Sequence, residues 1–211
     1  MTFFPEVLER YAEAHTKPES DVLRELNRET HARVLMPQML SGHLQGQFIR
    51  MMSLMLRPKY ALEIGTFTGY SAICLCEGLQ ENGKLFTIDV NEELQEMALR
   101  YFEKSGMSHK IDFRIGMAAA IIPTLHVALD LVFIDADKLN YGLYYDLVFD
   151  KVRPGGIILA DNVLWSGKVV EESQDAETIA LKAFSDKVQR DERVDNVLLT
   201  LRDGLMVIRK K

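Results

Sequence analysis

Two cysteines, one tryptophan and six prolines are all that 211 residues contain of these types, and the scarcity excludes several kinds of protein. Cys74 and Cys76 stand two apart, so on a helix they point to different faces. Neither a disulfide nor a C-x-x-C redox site is suggested, and both are expected in the core. The net charge of -6 leaves no basic footprint for nucleic acid, so small molecules or proteins remain as partners. No apolar run approaches the length of a membrane span, and the opening Met-Thr-Phe-Phe-Pro-Glu has no charged stretch followed by an apolar one. A cytoplasmic protein, with no membrane partner, is the expectation. Internal repeats, low-complexity segments and long blocks of like charge are also missing. His15, His31, His43, His109 and His126 are scattered, with no serine or cysteine nucleophile motif beside them, and solvent-facing or capping roles are expected of them.

What is present is an ordinary globular balance, 47% hydrophobic and 27% charged, enough for one well-buried domain over 1–211. The expected division is an N-terminal helical region, 1–57, and a sheet core, 58–211. The organising stretch is Tyr60-Ala-Leu-Glu-Ile-Gly-Thr-Phe-Thr-Gly-Tyr-Ser71: a short apolar strand, a glycine turn, then a helix from Ser71 to Leu79. Ahead of it, Thr2 can cap a helix to Ala14, and Pro18-Glu-Ser20 precedes a second helix with Val22, Leu23 and Leu26 on one face. Met36 to Gly42 breaks the pattern before an apolar helix from Leu44 to Leu56, whose Met51, Met52 and Met55 read as core filler. Arg57-Pro58 closes it.

From Tyr60 onward strands and helices alternate. Strands are expected at Tyr60–Ile64, Lys84–Ile88, Ile111–Ile115, Leu129–Ile134 and Gly156–Ala160, with helices at Ser71–Leu79, Asn91–Lys104, Ala118–Leu125 and Leu139–Lys151. A helix at Ser173–Arg190 leads into strands Val194–Leu199 and Leu205–Arg209, and Asp203-Gly204 between them signals a hairpin that makes the last strand antiparallel. The fold class is α/β: a doubly wound, seven-stranded, mostly parallel sheet with helices on both faces.

In such sheets ligands bind beyond the carboxyl ends of the strands. Gly65 lets a ligand lie against the backbone, and Glu63 beside it would repel a pyrophosphate but suit a cationic amino-acid group. The G-x-G-x-x-G spacing of dinucleotide binders is absent. Asp89 ends the second strand, where a carboxylate can accept hydrogen bonds from both ribose hydroxyls of an adenosine. Gly116-Met-Ala118 is a small-residue turn that could admit a flat base. Asp135, Asp161 and Asn162 are three oxygen ligands with no histidine or thiolate, which favours Mg²⁺, Mn²⁺ or Ca²⁺ over zinc; the plainer alternative is helix caps and turns. Lys138 stands beside them. Trp165 is a candidate aromatic wall for substrate, with ordinary packing as its alternative. Tyr141, Tyr144 and Tyr145 read as core or groove wall.

Three blocks carry a family resemblance: Glu63-Ile-Gly65-Thr-Phe67-Thr-Gly69-Tyr70-Ser71, Phe133-Ile-Asp135-Ala-Asp-Lys138-Leu-Asn-Tyr141, and Asp161-Asn-Val-Leu-Trp165-Ser-Gly167-Lys-Val. Together they resemble the cation-dependent, S-adenosylmethionine-dependent O-methyltransferases of the catechol and caffeoyl-CoA type, from about Met39 to the C-terminus. The resemblance implies a Rossmann-like class I methyltransferase fold and an acceptor hydroxyl on a vicinal-dihydroxy aromatic. It implies that Met39, Ser41, Glu63, Gly65, Phe67, Ser71, Asp89, Gly116, Ala118 and Asp135 contact the methyl donor. By the same resemblance Asp135, Asp161 and Asn162 hold the cation, Lys138 is the base, and the N-terminal helices serve a homodimer and the pocket lid; Trp165 and Tyr141 are the residues expected to line the substrate. Plant-type members carry a Leu-Pro-x-Gly-Asp-Gly hairpin where this chain has Leu199-Thr-Leu-Arg202-Asp203-Gly204. The competing readings from the residues alone are a nicotinamide-dependent oxidoreductase, which could use Asp89 equally well, and a non-catalytic S-adenosylmethionine-binding protein.

Overall fold

The structure is a computed structural model that describes residues 5–172 and 175–211. The described residues form two compact units, 5–117 and 118–211. The first contains helices α1 (Glu6–Ala14), α2 (Asp21–Arg33), α3 (Gly42–Leu56), α4 (Tyr70–Cys76) and α5 (Gln95–Lys104), and strands β1 (Tyr60–Ile64), β2 (Lys84–Asp89) and β3 (Ile111–Ile115). The second contains α6 (Ala118–Ile121), α7 (Tyr141–Phe149) and α8 (Ala176–Arg190), and strands β4 (Leu129–Ile134), β5 (Val152–Asp161), β6 (Val194–Leu199) and β7 (Leu205–Lys210). The seven strands make a mixed sheet. In the first unit β1 pairs with β2 and β2 with β3, all parallel. In the second β4 and β5 run parallel, while β7 lies antiparallel between β5 and β6.

Local chemistry explains most boundaries. Ser20 caps α2, its Oγ accepting from the Leu23 amide at 3.3 Å, and the helix buries Leu23, Leu26 and Thr30. Asp175 caps α8 by accepting from the Thr178 amide at 2.9 Å, and Leu181, Phe184 and Val188 form the buried stripe. Strand β4 is buried at every position, as a strand covered on both faces should be; its one charged residue, Asp130, is paired with Arg153. Cys74 and Cys76 are fully buried, the packing role expected of them. The Thr2 cap and the first residues of the helix expected from Ser173 lie outside the described residues.

Several elements differ from expectation for identifiable reasons. Asn91 caps a 3-10 turn, Glu92–Leu94, before α5 begins. Pro123 has no amide hydrogen, so α6 ends at Ile121 and continues as a 3-10 turn. The first turn of the segment from Lys138 is also 3-10, and α7 starts only at Tyr141. Strand β5 begins at Val152 rather than Gly156, running through Pro154 where its register with β4 is irregular, a place where a strand tolerates proline. The methionine cluster of α3 is not core: Met51 is 49% and Met55 66% exposed. The buried face of that helix is Gln45, Gly46, Gln47, Ile49 and Ser53. Ser53 Oγ donates to the Leu75 carbonyl at 2.6 Å, and a Cβ on Gly46 would meet the Tyr70 ring at 2.5 Å. The close approach of α3 to α4 therefore demands small residues there, and the helical period turns the methionines outward.

Candidate active site

In the first unit the turn after β1 is held by hydrogen bonds to β2. The backbone is left-handed at Gly65 (φ 101°), Phe67 (φ 50°) and Gly69 (φ 93°). Gly65 donates its amide to the Ile88 carbonyl at 2.9 Å, and Gly69 donates to Thr66 at 2.9 Å before starting α4. The Phe67 amide donates to Asp89 Oδ2 at 2.7 Å, while Asp89 Oδ1 accepts from the Asn91 amide at 2.8 Å. Asp89 is thus a half-buried carboxylate aimed by two backbone groups, each oxygen keeping a lone pair for another donor. Glu63 is completely buried, and its Oε2 accepts from Thr87 Oγ1 at 2.5 Å. Since the Thr87 proton is committed there, Thr66 Oγ1 is the donor across the 2.6 Å contact to Thr87. This threonine relay ties the turn to Glu63, and no pattern in the sequence announced it. Ser41 and Ser71 are buried, while Met39 is exposed. Gly116, with φ 148°, donates to the Asp89 carbonyl at 2.8 Å.

In the second unit the strand ends converge on one charge. Lys138, although buried, sends its Nζ to Asp135 Oδ1 at 3.2 Å, Asn162 Oδ1 at 2.8 Å and the Tyr141 hydroxyl at 2.8 Å. Burial works against an ammonium here, yet Tyr141, Asp135 and Asp161 outweigh it and push the lysine above its usual range. Asn162 reaches the cluster from a left-handed backbone, φ 58°. Asp161 is buried, and its carbonyl accepts from Tyr141 OH at 2.9 Å. Asp137 does not pair with Lys138; it accepts from Tyr144 OH and Asn140 Nδ2. Tyr141 does not stand on an open wall: it has no exposed surface, and its ring packs edge-on against Phe184 at 5.6 Å. Its hydroxyl alone reaches the cluster. The Trp165 ring centre lies 5.8 Å from Lys138 Nζ, and Ala118 is buried at the start of α6.

Among the described residues no group of three or more His, Cys, Asp or Glu side chains forms a metal site. Asp135, Asp161 and Asn162 are a different kind of set, two carboxylates and one amide. Two of their oxygens meet the Lys138 ammonium, so their chemistry fits a positive charge with hard-oxygen preference.

A glycine turn after β1, an acidic residue ending β2 and a mixed α/β sheet fit a Rossmann-like methyltransferase of class I, and solved structures select that class. The O-methyltransferase from Bacillus cereus, in complex with SAH, superposes with a TM-score of 0.90 at 26% identity over 97% of both chains. SAH-bound PaMTH1 from Podospora anserina gives 0.90 at 29% identity, covering 100% of this chain and 98% of that one. The O-methyltransferase family model matches residues 12–211, and the caffeoyl-CoA O-methyltransferase 1 of Arabidopsis thaliana is 35% identical over 92% of this chain and 79% of its own length. The chain belongs to the S-adenosylmethionine-dependent O-methyltransferase family. Membership selects methyl transfer over the nicotinamide chemistry that Asp89 alone left open.

Proposed function

We propose that the chain, acting as one methyltransferase domain, moves the methyl group of S-adenosylmethionine to one hydroxyl of a vicinal-dihydroxy aromatic molecule, with a divalent cation held by Asp135, Asp161 and Asn162. The observation that carries the reading is the convergence of Asp135 and Asn162 on a single positive charge at Lys138. Relatives named for caffeoyl-CoA support an aromatic acceptor.

The donor lies in this reading against Gly65, whose missing Cβ leaves room, with Glu63 and Ser71 toward its amino-acid end and Asp89 accepting from the ribose hydroxyls. Met39, Ser41, Phe67, Gly116, Ala118 and Asp135 complete its contacts. When bound, the donor supplies a methyl group on a cationic sulfur, and the cation lowers the pKa of a hydroxyl it holds. Lys138 takes the acceptor proton at Nζ. For that it must first shed its own, and the network around it opposes this by keeping it charged. The base role therefore requires those carboxylates to be engaged by another positive charge; failing that, Lys138 steadies the acceptor oxyanion. Trp165 forms an aromatic wall, and Tyr141 serves through its hydroxyl, which holds Nζ in place.

A cytoplasmic homodimer completes the reading. Val7, Leu8 and Tyr11 on α1 and Met51 and Met55 on α3 are exposed apolar residues that suit a second copy, and sedimentation velocity checks it. Among the described residues no helix is long and apolar enough to cross a membrane. The deciding experiment is transfer of labelled methyl to catechol, caffeoyl-CoA and phenol, with Mg²⁺ and after exhaustive chelation. Transfer to the two diols only, and only with the cation, is expected. Equal transfer to phenol, or undiminished turnover after chelation, overturns the reading.

A further inference from the structure

Beyond Asp161 the backbone turns left-handed at Asn162 (φ 58°), Trp165 (φ 47°), Ser166 (φ 56°) and Gly167 (φ 84°). Three of these carry a Cβ, so the loop is strained and persists only where its surroundings hold it. The surroundings that hold it are the turn between β6 and β7. Val163 donates its amide to the Gly204 carbonyl at 3.1 Å, and Leu164 to the Asp203 carbonyl at 2.9 Å. The Ser166 amide donates to the Asp203 carboxylate, Oδ1, at 2.5 Å. Gly204 has φ 88°, and a Cβ there would lie 2.4 Å from Leu164 Cγ and 2.9 Å from its amide nitrogen. Glycine is what permits this approach.

Trp165 sits between the two tied residues Leu164 and Ser166. Its amide donates to the Asn162 carbonyl at 3.2 Å, whereas its buried Nε1 makes no hydrogen bond among the described residues. The indole direction is therefore set by the backbone on either side of it, and through Ser166 by Asp203. We propose that Asp203 is a positioning residue for the acceptor: by pinning the Ser166 amide it fixes the Trp165 indole over Lys138 as a wall for the flat face of an aromatic ring. The assignment rests on the acceptor binding at Lys138, as proposed above.

Trp165 is the sole tryptophan, so intrinsic fluorescence reports this loop without any substrate. In Asp203→Ala the emission shifts to the red and acrylamide quenching increases, while Asp203→Asn, whose amide oxygen still accepts from Ser166, keeps the wild-type signal. With catechol as acceptor, Asp203→Ala raises KM roughly tenfold or more, the scale of losing a hydrogen bond to a charged group. In that variant kcat and donor affinity change less, and Asp203→Asn restores KM. In the unsubstituted protein the Ser166 amide exchanges its hydrogen slowly, a result that stands even where Asp203→Ala fails to fold. A folded Asp203→Ala with wild-type emission and quenching overturns the clamp, as does unprotected exchange at Ser166. Altered emission with an unchanged catechol KM overturns the acceptor role. Absence of any methyl transfer to catechol in the wild type overturns instead the function proposed above, and leaves the fluorescence to decide the clamp.

Discussion

The turn that follows β1 and the loop that follows β5 both bend the backbone into left-handed conformations, but by different means. After β1, two of the three positive-φ positions are glycines, Gly65 and Gly69, and the partners that fix the turn, Ile88 and Asp89, belong to the adjacent strand. After β5, Asn162, Trp165 and Ser166 accept the same conformation with side chains attached, and a hairpin distant in sequence holds them through Asp203 and Gly204. The first bend is encoded where it occurs. The second is imposed by tertiary structure, which makes it the more conditional of the two. The chemistry follows the same division: one region offers backbone and two anchored carboxylates to a ligand of fixed shape, the other a cluster of side chains balanced around one ammonium.

The largest effect should come from breaking the first region at its glycine. Gly65→Val places a β-branched residue at φ 101°, adding roughly 1–3 kcal/mol of backbone strain and filling the space a ligand would use. Loss of S-adenosylhomocysteine binding by calorimetry, in a variant whose circular dichroism is unchanged, is the expected outcome. Retained affinity would mean the donor does not approach this turn. Next in size is the matching break in the second region. Lys138→Ala should lower kcat by about 10²–10⁴ if proton transfer to Nζ is lost, with donor affinity unaltered. A variant that keeps wild-type kcat at neutral pH removes Lys138 from the chemistry.

The contrast also explains what could be read from residues alone. The strand, glycine turn and helix at Tyr60–Ser71, the strands β3, β4 and β6 to the residue, and the hairpin at Asp203-Gly204 were all legible, because period and turn chemistry are local signals. The exposure of Met51 and Met55 was not. It depends on which face of α3 meets α4, and apart from Ile49 that face is made of small and polar residues whose burial no hydropathy pattern predicts. Asp203 was legible as a turn residue and not as the partner of Ser166. Likewise, Lys138 and Asp135 were recognisable as neighbours, but the commitment of Asp137 to Tyr144 and Asn140 rather than Lys138 is a choice among nearby donors that only the folded geometry makes.

A smaller effect should sharpen the division by testing an anchored carboxylate. Asp89 is aimed by the amides of Phe67 and Asn91, so its removal costs the hydrogen bonds it would give a ligand and loosens the turn. Asp89→Ala should weaken donor binding by about 1–3 kcal/mol. Asp89→Asn, which keeps one acceptor oxygen, should lose less, and equal losses in the two variants would show that charge rather than hydrogen bonding is what matters there.

The smallest expected change in activity comes from a substitution that separates stability from chemistry within the second unit. Asp191, just beyond α8, accepts from the Arg193 amide at 3.0 Å, from Arg193 Nε at 2.8 Å and from Tyr145 OH at 2.9 Å. The Arg193 guanidinium above all, against an opposing contribution from burial, holds its carboxyl far below the usual range. The folded state therefore binds a proton less readily than the unfolded chain, whose aspartate titrates near pH ~3.9. The stabilisation is complete above that value and is lost as pH falls through it toward the folded value. Asp191→Ala should cost roughly 1.5–3 kcal/mol at pH 7, the range for hydrogen bonds to a charged group. The gap from wild type should narrow as urea melts are repeated at successively lower pH. Because Asp191 makes no contact with Lys138, Asn162 or Trp165 in the hydrogen-bond network described above, kcat in the folded variant should match wild type. A stability gap that stays constant down to pH ~3 would assign the contribution to the shape of the turn, and a fall in kcat would mean that the clasp at Arg193 supports the cluster around Lys138.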